Sequence, residues 1–361
     1  MRALVFEGVG RIALADDAPE PRLLAGTDAV VRISLCALCG SDLHPVRGDE
    51  RGIVPGTVVG HEFVGVVSQL GSEVTGLAVG DRVMSPFTCS CSECFYCKKG
   101  LTCRCTHPEA RVLGWRSEPP PDAPAGSEPS GLHGAQAQFV RVPLASSTLV
   151  KVPADVSDEE ALLLGDILST AFFCADQGGV SPGDAVAVVG CGPVGLLAIL
   201  AARERGAAKV FAVDGVPGRR AKAAELGATP LEPSEAAAAV AEATGGRGAD
   251  VALEAVGAAG ALRLAFDVVR PAGVVSSVGV QVGAAFPMRP MEAYDKNITL
   301  RFGRCPARAY MERLLPIVRA RRWPFASIIT HRLPLSEGVA AYEAFEARRE
   351  GWLKVVLDPW A

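Results

Sequence analysis

Two hydrophobic periodicities divide the chain. Up to about residue 150, apolar positions fall in short β-rich runs at 3–6, 29–35, 63–70 and 82–85, with Gly, Pro and Asp between them. Such runs predict strands, because branched side chains fit a pleated, half-buried surface and the intervening residues end it. Short strands at this spacing predict a small barrel or sandwich. From about residue 155 the pattern lengthens into helical periods joined to apolar strands. Ser157, with Glu160 three residues on, opens a helix as a capping box would, and that helix delivers Gly165 and Asp166. Strands follow at 185–189, 209–213, 250–254, 273–279 and 298–302, with helices at 194–205 and 261–269. This alternation predicts a doubly wound parallel sheet. Residues 310–321 and 337–348 read as amphipathic helices, and 354–357 as a last strand that pairs back with the first domain. The expected organisation is α/β, with a β-rich domain over 1–154, a doubly wound domain over 155–303 and a return over 304–361.

Residues 116–130 are rich in Pro, Glu, Ser and Ala and read as a flexible surface loop with no packed structure, a tolerated insertion. The chain then leads back into a strand at 139–142, and His133 on the way reads as a polar loop residue, not a ligand. No internal repeat is found beyond the βα alternation itself.

The first strand of the doubly wound half ends in Gly190-Cys-Gly192-Pro-Val-Gly195 and a helix follows. A lone GxGxxG is weak, but a strand before it, a helix after it and an acidic residue about twenty positions on give it the context of a dinucleotide site. Gly190 permits the tight turn, Gly192 lets the pyrophosphate approach the backbone and Gly195 allows close helix packing. Asp214 ends the next strand, where it would bind the adenosine ribose hydroxyls and repel a 2'-phosphate, so NAD is favoured over NADP. Arg219 and Arg220 keep the second cofactor open.

Cys39-Gly-Ser-Asp-Leu-His44 and Gly60-His61-Glu62 gather a thiolate, two imidazoles, a hydroxyl and carboxylates within a short span. Zinc takes Cys sulfur and His nitrogen readily, and a catalytic site uses three protein ligands and leaves a position open. Cys39 and His61 would supply two of them. On that pair alone, a buried thiol and a core histidine would be the commoner reading. Cys91, Cys94 and Cys97, at intervals of three, with Cys105 eight residues later, can present four thiolates tetrahedrally, which marks a structural zinc. Cys89 and Cys103 lie close enough for either to substitute.

Composition narrows the partners. The 361 residues, 49% hydrophobic, suffice for two domains with sizeable cores. A formal net charge of −4 and no dense Lys/Arg run leave no electrostatic footprint for nucleic acid or an anionic membrane. Residues 1–6 lack a secretion-type h-region and no apolar run spans a bilayer, which predicts a cytoplasmic protein. In that compartment eleven cysteines point to metal, not disulfides.

Taken together, the two Cys/His motifs, Gly80-Asp81-Arg82-Val83, the four-cysteine lobe and the Gly190–Gly195 fingerprint resemble the zinc-containing medium-chain alcohol dehydrogenases from end to end, the 116–130 loop excepted. The resemblance implies a GroES-like catalytic domain, a Rossmann domain inserted near its end, two zinc ions per chain, NAD(H), a small alcohol or aldehyde as substrate and a homodimer or homotetramer. For that assembly, residues 286–288 or 298–302 could extend a sheet across a two-fold axis. It places Cys39 and His61 as the first two catalytic zinc ligands and Asp166 as the third. Many members carry Cys at that third position; an Asp within Gly165-Asp-Ile-Leu-Ser-Thr170 resembles the branch containing glutathione-independent formaldehyde dehydrogenases. Thr170 is grouped with the cofactor-binding positions. Glu62 resembles a glutamate able to approach the metal, and is the alternative third ligand.

Ser41 and His44 fall where the family keeps its proton relay. The mechanism implied is that zinc lowers the pKa of a bound alcohol, Ser41 takes the proton and passes it through the cofactor ribose to His44 and solvent, and the hydride goes to the nicotinamide. Phe87, Trp115 and the neighbourhood of Leu132 are candidates for the pocket wall. Without a long cofactor-covering insertion, freely exchanging NAD is expected over a tightly held one. The alternatives are a polyol or amino-alcohol dehydrogenase of the same family and, from another class, a cofactor-binding protein without catalysis. A metal-free quinone reductase would need neither Cys39 nor the lobe, and a zinc-ribbon nucleic-acid binder would need a basic face that the lobe lacks.

Overall fold

The computed structural model describes residues 1–361 apart from 51, 120–126, 128 and 284. Two units form, residues 1–166 with 306–361, and residues 167–305. The first is assembled on Ala29–Ala37, a largely apolar strand that changes partners along its length. It pairs antiparallel with Phe63–Leu70 throughout, takes Phe139–Val142 on its first half, and takes Lys354–Asp358 at its end, where Val356 faces Ala37 and Leu357 faces Cys36. Register breaks between Val30 and Val31 and between Ile33 and Leu35 bend the strand and allow the exchange. Arg82–Met84 and Val150–Lys151 extend the sheet on one side and Ile329–Pro334 on the other. Arg11–Ala15, Ala3–Gly8 and Thr57–Val58 make a second, three-stranded sheet. Leu4, Ile33, Phe63, Leu113 and Val355 lie almost wholly buried in the shared core, each contributing about 1.5–3 kcal/mol of apolar transfer.

The second unit is one six-stranded parallel sheet in the order Thr229–Leu231, Lys209–Val213, Ala185–Val189, Ala249–Glu254, Val269–Ser277, Thr299–Phe302. Every residue of Ala185–Val189 is buried, as expected of a central parallel strand covered on both faces. The chain order reverses on either side of that strand, and such a switch point opens a crevice at the carboxyl ends of the strands.

The α/β class and the GroES-like plus Rossmann architecture hold. Differences are local. The helix Asp158–Gly165, expected in the doubly wound half, packs in the first unit against Ala29–Ala37, Phe63–Leu70 and Ala307–Arg319, because Ala161 to Gly165 are apolar or small and buried. Strands Arg11–Ala15, Thr229–Leu231 and Ile329–Pro334 were not predicted; their mixed burial disguises a period of two. Residues 286–288 form no strand in the chain. Of the supposed loop, Trp115–Ser117 and Ser130–Leu132 pair as a short antiparallel ladder, while 120–126 and 128 lie outside the described residues. Among the described residues, no helix is long and apolar enough to cross a membrane.

Candidate active site

Three segments distant in sequence bring one donor each to a single point. Cys39 stands in extended conformation before the turn Gly40–Asp42. His61 follows Gly60, whose φ of +87° needs glycine and whose Cβ would lie 2.4 Å from Gln136 Cγ. Asp166 ends the helix Asp158–Gly165, and Gly165 allows that end to come close, since a Cβ there would lie 2.3 Å from the Ser85 carbonyl. Cys39 Sγ is 3.6 Å and His61 Nε2 3.1 Å from the same Asp166 oxygen, Oδ2, and the three donor atoms lie within 4.8 Å of one another. Tetrahedral zinc with ligands at about 2.0–2.3 Å spaces its donors by about 3.3–3.8 Å, so the set fits that ion and leaves a fourth position for a substrate oxygen.

The charges agree. His61 Nδ1 is 3.0 Å from Asp42 Oδ1, so the ring sits between two carboxylates. Burial opposes a charge there, but Asp42 and Asp166 outweigh it and hold the imidazole well above its ordinary value. Burial, with the Asp166 and Glu62 charges, pushes the Cys39 thiol up. Both shifts favour the protonated forms, whose protons a bound cation would displace. Asp42, inside the first motif but passed over by sequence reasoning, gives His61 the carboxylate partner that fixes the tautomer of metal-binding histidines.

Glu62 stands outside the donor set. Its Oε2 is paired with Lys354, both side chains being buried, and Lys354 Nζ also donates to the Leu38 carbonyl at 2.8 Å. Burial lifts Glu62 to about 7 against the pull of Lys354 and His61, and Lys354 is held above its usual value because Glu62 outweighs its own burial. Asp166, not Glu62, is therefore the third member of the converging set. Ser41 Oγ lies 3.4 Å from His61 Nε2. His44, in the first turn of Leu43–Arg47, has its Nδ1 3.6 Å from Asp49 Oδ2 and is not one of the converging donors. Phe87 sets its ring edge-on to His61 at 6.3 Å, and Trp115 pairs in register with Leu132. His133 Nδ1 accepts the Val58 amide at 3.1 Å, a loop anchor.

In the lobe, Cys91, Cys94, Cys97 and Cys105 converge. Sulfur separations of 3.4 Å for Cys91–Cys105 and 3.9 Å for Cys94–Cys105 match the edge of about 3.8 Å in a four-sulfur zinc shell. Cys94 opens the short helix Phe95–Lys98, which carries Cys97, and Cys91 Sγ accepts the amides of Glu93 and Cys94 at 3.4 Å each. Amides of Cys97 and Thr106 hold the Cys94 thiol down to about 5, the direction a thiolate ligand needs, while burial pushes the Cys97 and Cys105 thiols up. Cys89 is instead buried in the core and pushed up to about 12 by burial. Cys103 lies in the turn Thr102–Arg104, just before Cys105.

In the second unit, Gly190 has φ +93° and Gly195 a Cβ position 1.7 Å from the Gly190 carbonyl, so the fold itself demands both. Gly192 differs: its φ is −71° and a Cβ would meet nothing within 4 Å. The chain leaves open space there, at the N-terminus of Pro193–Glu204, which suits a pyrophosphate. Asp214 Oδ2 accepts the Cys191 amide and Oδ1 the Val216 amide, each at 2.8 Å. Arg219 Nη1 is 3.8 Å from Asp214 Oδ2, while Arg220 donates to the Asp214 carbonyl at 2.7 Å and pairs with Glu232. Thr170 is half-buried on Ile167–Gly178, the helix packed on Pro193–Glu204.

Residues 25–154 match the alcohol dehydrogenase GroES-like domain and 193–319 the zinc-binding dehydrogenase domain. Zinc-type alcohol dehydrogenase B of Aspergillus flavus is 39% identical over 359 residues, covering 97% of this chain and 79% of the relative. The chain belongs to the zinc-containing medium-chain alcohol dehydrogenase family. A probable zinc-binding alcohol dehydrogenase of Mycobacterium tuberculosis is 37% identical over 359 residues, covering 99% of this chain and 89% of its own. The solved alcohol dehydrogenase TADH from Thermus sp. ATN1 superposes with a TM-score of 0.89 at 40% identity, covering 99% of each chain. As a zinc-type dehydrogenase the chain is an oxidoreductase.

Family membership leaves three buried polar residues to explain beyond the motifs. Lys354 and Gln136 lie around the Cys39–His61–Asp166 set. Glu254, wholly buried, accepts the amides of Val256 and Gly257 at 2.7 and 2.8 Å on Oε1, and Ser277 Oγ at 2.6 Å and Gln281 Nε2 at 2.9 Å on Oε2. It ties together the loops that follow two central strands. For Lys354 and Glu254 the sequence signal is a charged side chain in a largely apolar strand, whereas Gln136, among small and amide residues, carries none.

Proposed function

We propose that the chain interconverts a small alcohol and its aldehyde or ketone with NAD(H), using one zinc at Cys39, His61 and Asp166 and a second, structural zinc at Cys91, Cys94, Cys97 and Cys105. The observation that carries the reading is the convergence, among the described residues, of the three donors Cys39, His61 and Asp166 on one point. In the oxidative direction the alcohol carbon gives a hydride to the nicotinamide and its hydroxyl gives up a proton. Zinc would supply the Lewis acid that lowers the pKa of that hydroxyl. Ser41 Oγ, beside His61, takes the proton, and His44 is the group from which it leaves to solvent. Asp42 keeps the His61 proton on Nδ1, so Nε2 keeps its lone pair for the metal. Lys354 holds Glu62 out of the donor set. Phe87 narrows the space over His61. Gly190, Gly192, Gly195 and Asp214 hold the dinucleotide, with Arg219 beside Asp214 and Thr170 on the neighbouring helix. The Asp214 carboxylate supports NAD over NADP. The exposed edge strand Thr299–Phe302, with Phe302 and Phe286 exposed beside each other, supports a homo-oligomer.

The test is NAD reduction across a panel of primary alcohols, secondary alcohols, sorbitol and threonine, for wild type and Asp166→Ala. Turnover of a simple alcohol by wild type, lost in Asp166→Ala, is the expected result. Turnover confined to sorbitol or threonine would move the substrate to the polyol or amino-alcohol class. A wild type inactive on every compound in both directions would overturn the reading.

A further inference from the structure

A buried hydrogen-bonded chain runs from the C-terminal helix Gly338–Glu346 to the ring of His61. Tyr342, on that helix and almost wholly buried, donates its hydroxyl to Gln136 Oε1 at 2.9 Å. Gln136, fully buried, donates from Nε2 to the Ala37 carbonyl at 3.0 Å and to Asp42 Oδ2 at 3.2 Å. The same Asp42 oxygen accepts the Cys39 amide at 2.9 Å, and its other oxygen faces His61 Nδ1 at 3.0 Å.

The orientation of the Gln136 amide follows from its neighbours. A carbonyl and a carboxylate, both acceptors, stand on one side, so the NH2 group must point there, and a hydroxyl donor stands on the other. Flipping the amide would set oxygen against two acceptors. Gln136 also accounts for the glycine of Gly60-His61-Glu62, because a Cβ at residue 60 would lie 2.4 Å from Gln136 Cγ and 2.9 Å from Nε2. The space beside His61 is therefore shaped around this one side chain.

We propose that Gln136, anchored by Tyr342, is a positioning residue for the metal ligand His61. It holds the Asp42 carboxylate in the rotamer that takes the His61 Nδ1 proton and so aims Nε2 at the point shared with Cys39 and Asp166. The assignment rests on the metal reading of that set. Asp42, bonded directly to the ligand, is the kind of group whose removal commonly changes metal affinity by about 10–100-fold, and Gln136, one bond further out, acts through it.

The test is the rate at which each of the two sites releases zinc to a chromogenic chelator, in wild type, Tyr342→Phe, Gln136→Leu and Asp42→Ala, with the four-cysteine site as internal reference in each molecule. Asp42→Ala is expected to speed release from the Cys39–His61–Asp166 site by about 10-fold or more, Gln136→Leu by less and Tyr342→Phe by least, with release from the lobe unchanged. Tyr342→Phe removes one oxygen from a packed ring, so it keeps the test valid should Gln136→Leu fold poorly. Unchanged release in Tyr342→Phe and Gln136→Leu, with faster release in Asp42→Ala, would overturn the positioning role and leave the metal reading intact. Equal acceleration at both sites would also overturn it, since a general loosening would then be the cause. A wild type that binds no metal at Cys39–His61–Asp166 would overturn the metal reading and this assignment with it.

Discussion

The two candidate metal-ligand sets in the first unit are built in opposite ways. The lobe takes all four thiols from residues 91–105, held by a short helix and amide-to-sulfur bonds within the same loop. The Cys39–His61–Asp166 set draws on residues as far as 127 positions apart and depends on further partners: Asp42, in the same turn as Cys39, on His61, and from other segments Gln136 on Asp42 and Lys354 on Glu62. A closed shell of four sulfurs can organise its own loop. A three-donor site with an open position must be kept open by the surrounding fold, and so uses buried polar residues that a closed site does without.

Removing a ligand separates the two most sharply. In Cys97→Ser the lobe should lose its ion and its fold, since structural zinc sites are worth about 10–16 kcal/mol of binding that doubles as folding energy. The melting temperature should fall by on the order of 10 °C, read by thermal unfolding beside metal analysis. Asp166→Ala should instead lower alcohol oxidation by on the order of 10³-fold while the melting temperature moves by only a few degrees, measured by steady-state kinetics and the same unfolding scan. A collapse in stability for Asp166→Ala would erase the distinction between a self-made and a supported site.

Lys354→Met probes the support directly. It leaves Glu62 buried and unpaired, which should cost about 3–5 kcal/mol in denaturant unfolding. Glu62→Gln added to it should recover most of that loss. No recovery would mean that the pair acts through packing instead.

The smallest effect concerns pH. When the Cys39–His61–Asp166 set holds no ion, His61 is raised well above its usual value, chiefly by Asp42 and Asp166 acting against burial. A raised folded-state value stabilises fully below the unfolded value of about 6.5 and is lost as pH rises through the folded one. A chain stripped at this site alone should therefore lose stability as pH rises above neutral. The zinc-loaded chain should not show that loss, because its His61 is a neutral ligand. Parallel melting curves across pH would show whether the two differ.

The contrast also explains what could be read from sequence. The lobe was legible because its ligands repeat at intervals of three within one loop, and the geometry selects Cys105 to close the set. The glycine fingerprint was legible for the same reason, as strand, turn and helix are contiguous. Cys39 and His61 stood out by residue type, but Asp166 needed the family resemblance, since nothing near residue 166 announces a ligand. Gln136 was invisible: in Gly134-Ala-Gln-Ala-Gln138 it reads as loop polarity, and its role exists only because the fold brings it to Asp42, 94 residues away. Lys354 likewise began a strand whose apolar pattern was seen while its buried charge was not. Strand pairing and register create such contacts, and periodicity carries no record of them.

Zinc content per chain, in wild type and Asp166→Ala purified side by side, tests the central claim most directly. Two ions in the wild type and one in the variant, with the lobe intact, is the predicted result. One ion in the wild type, or two in the variant, would contradict an open site built on Cys39, His61 and Asp166.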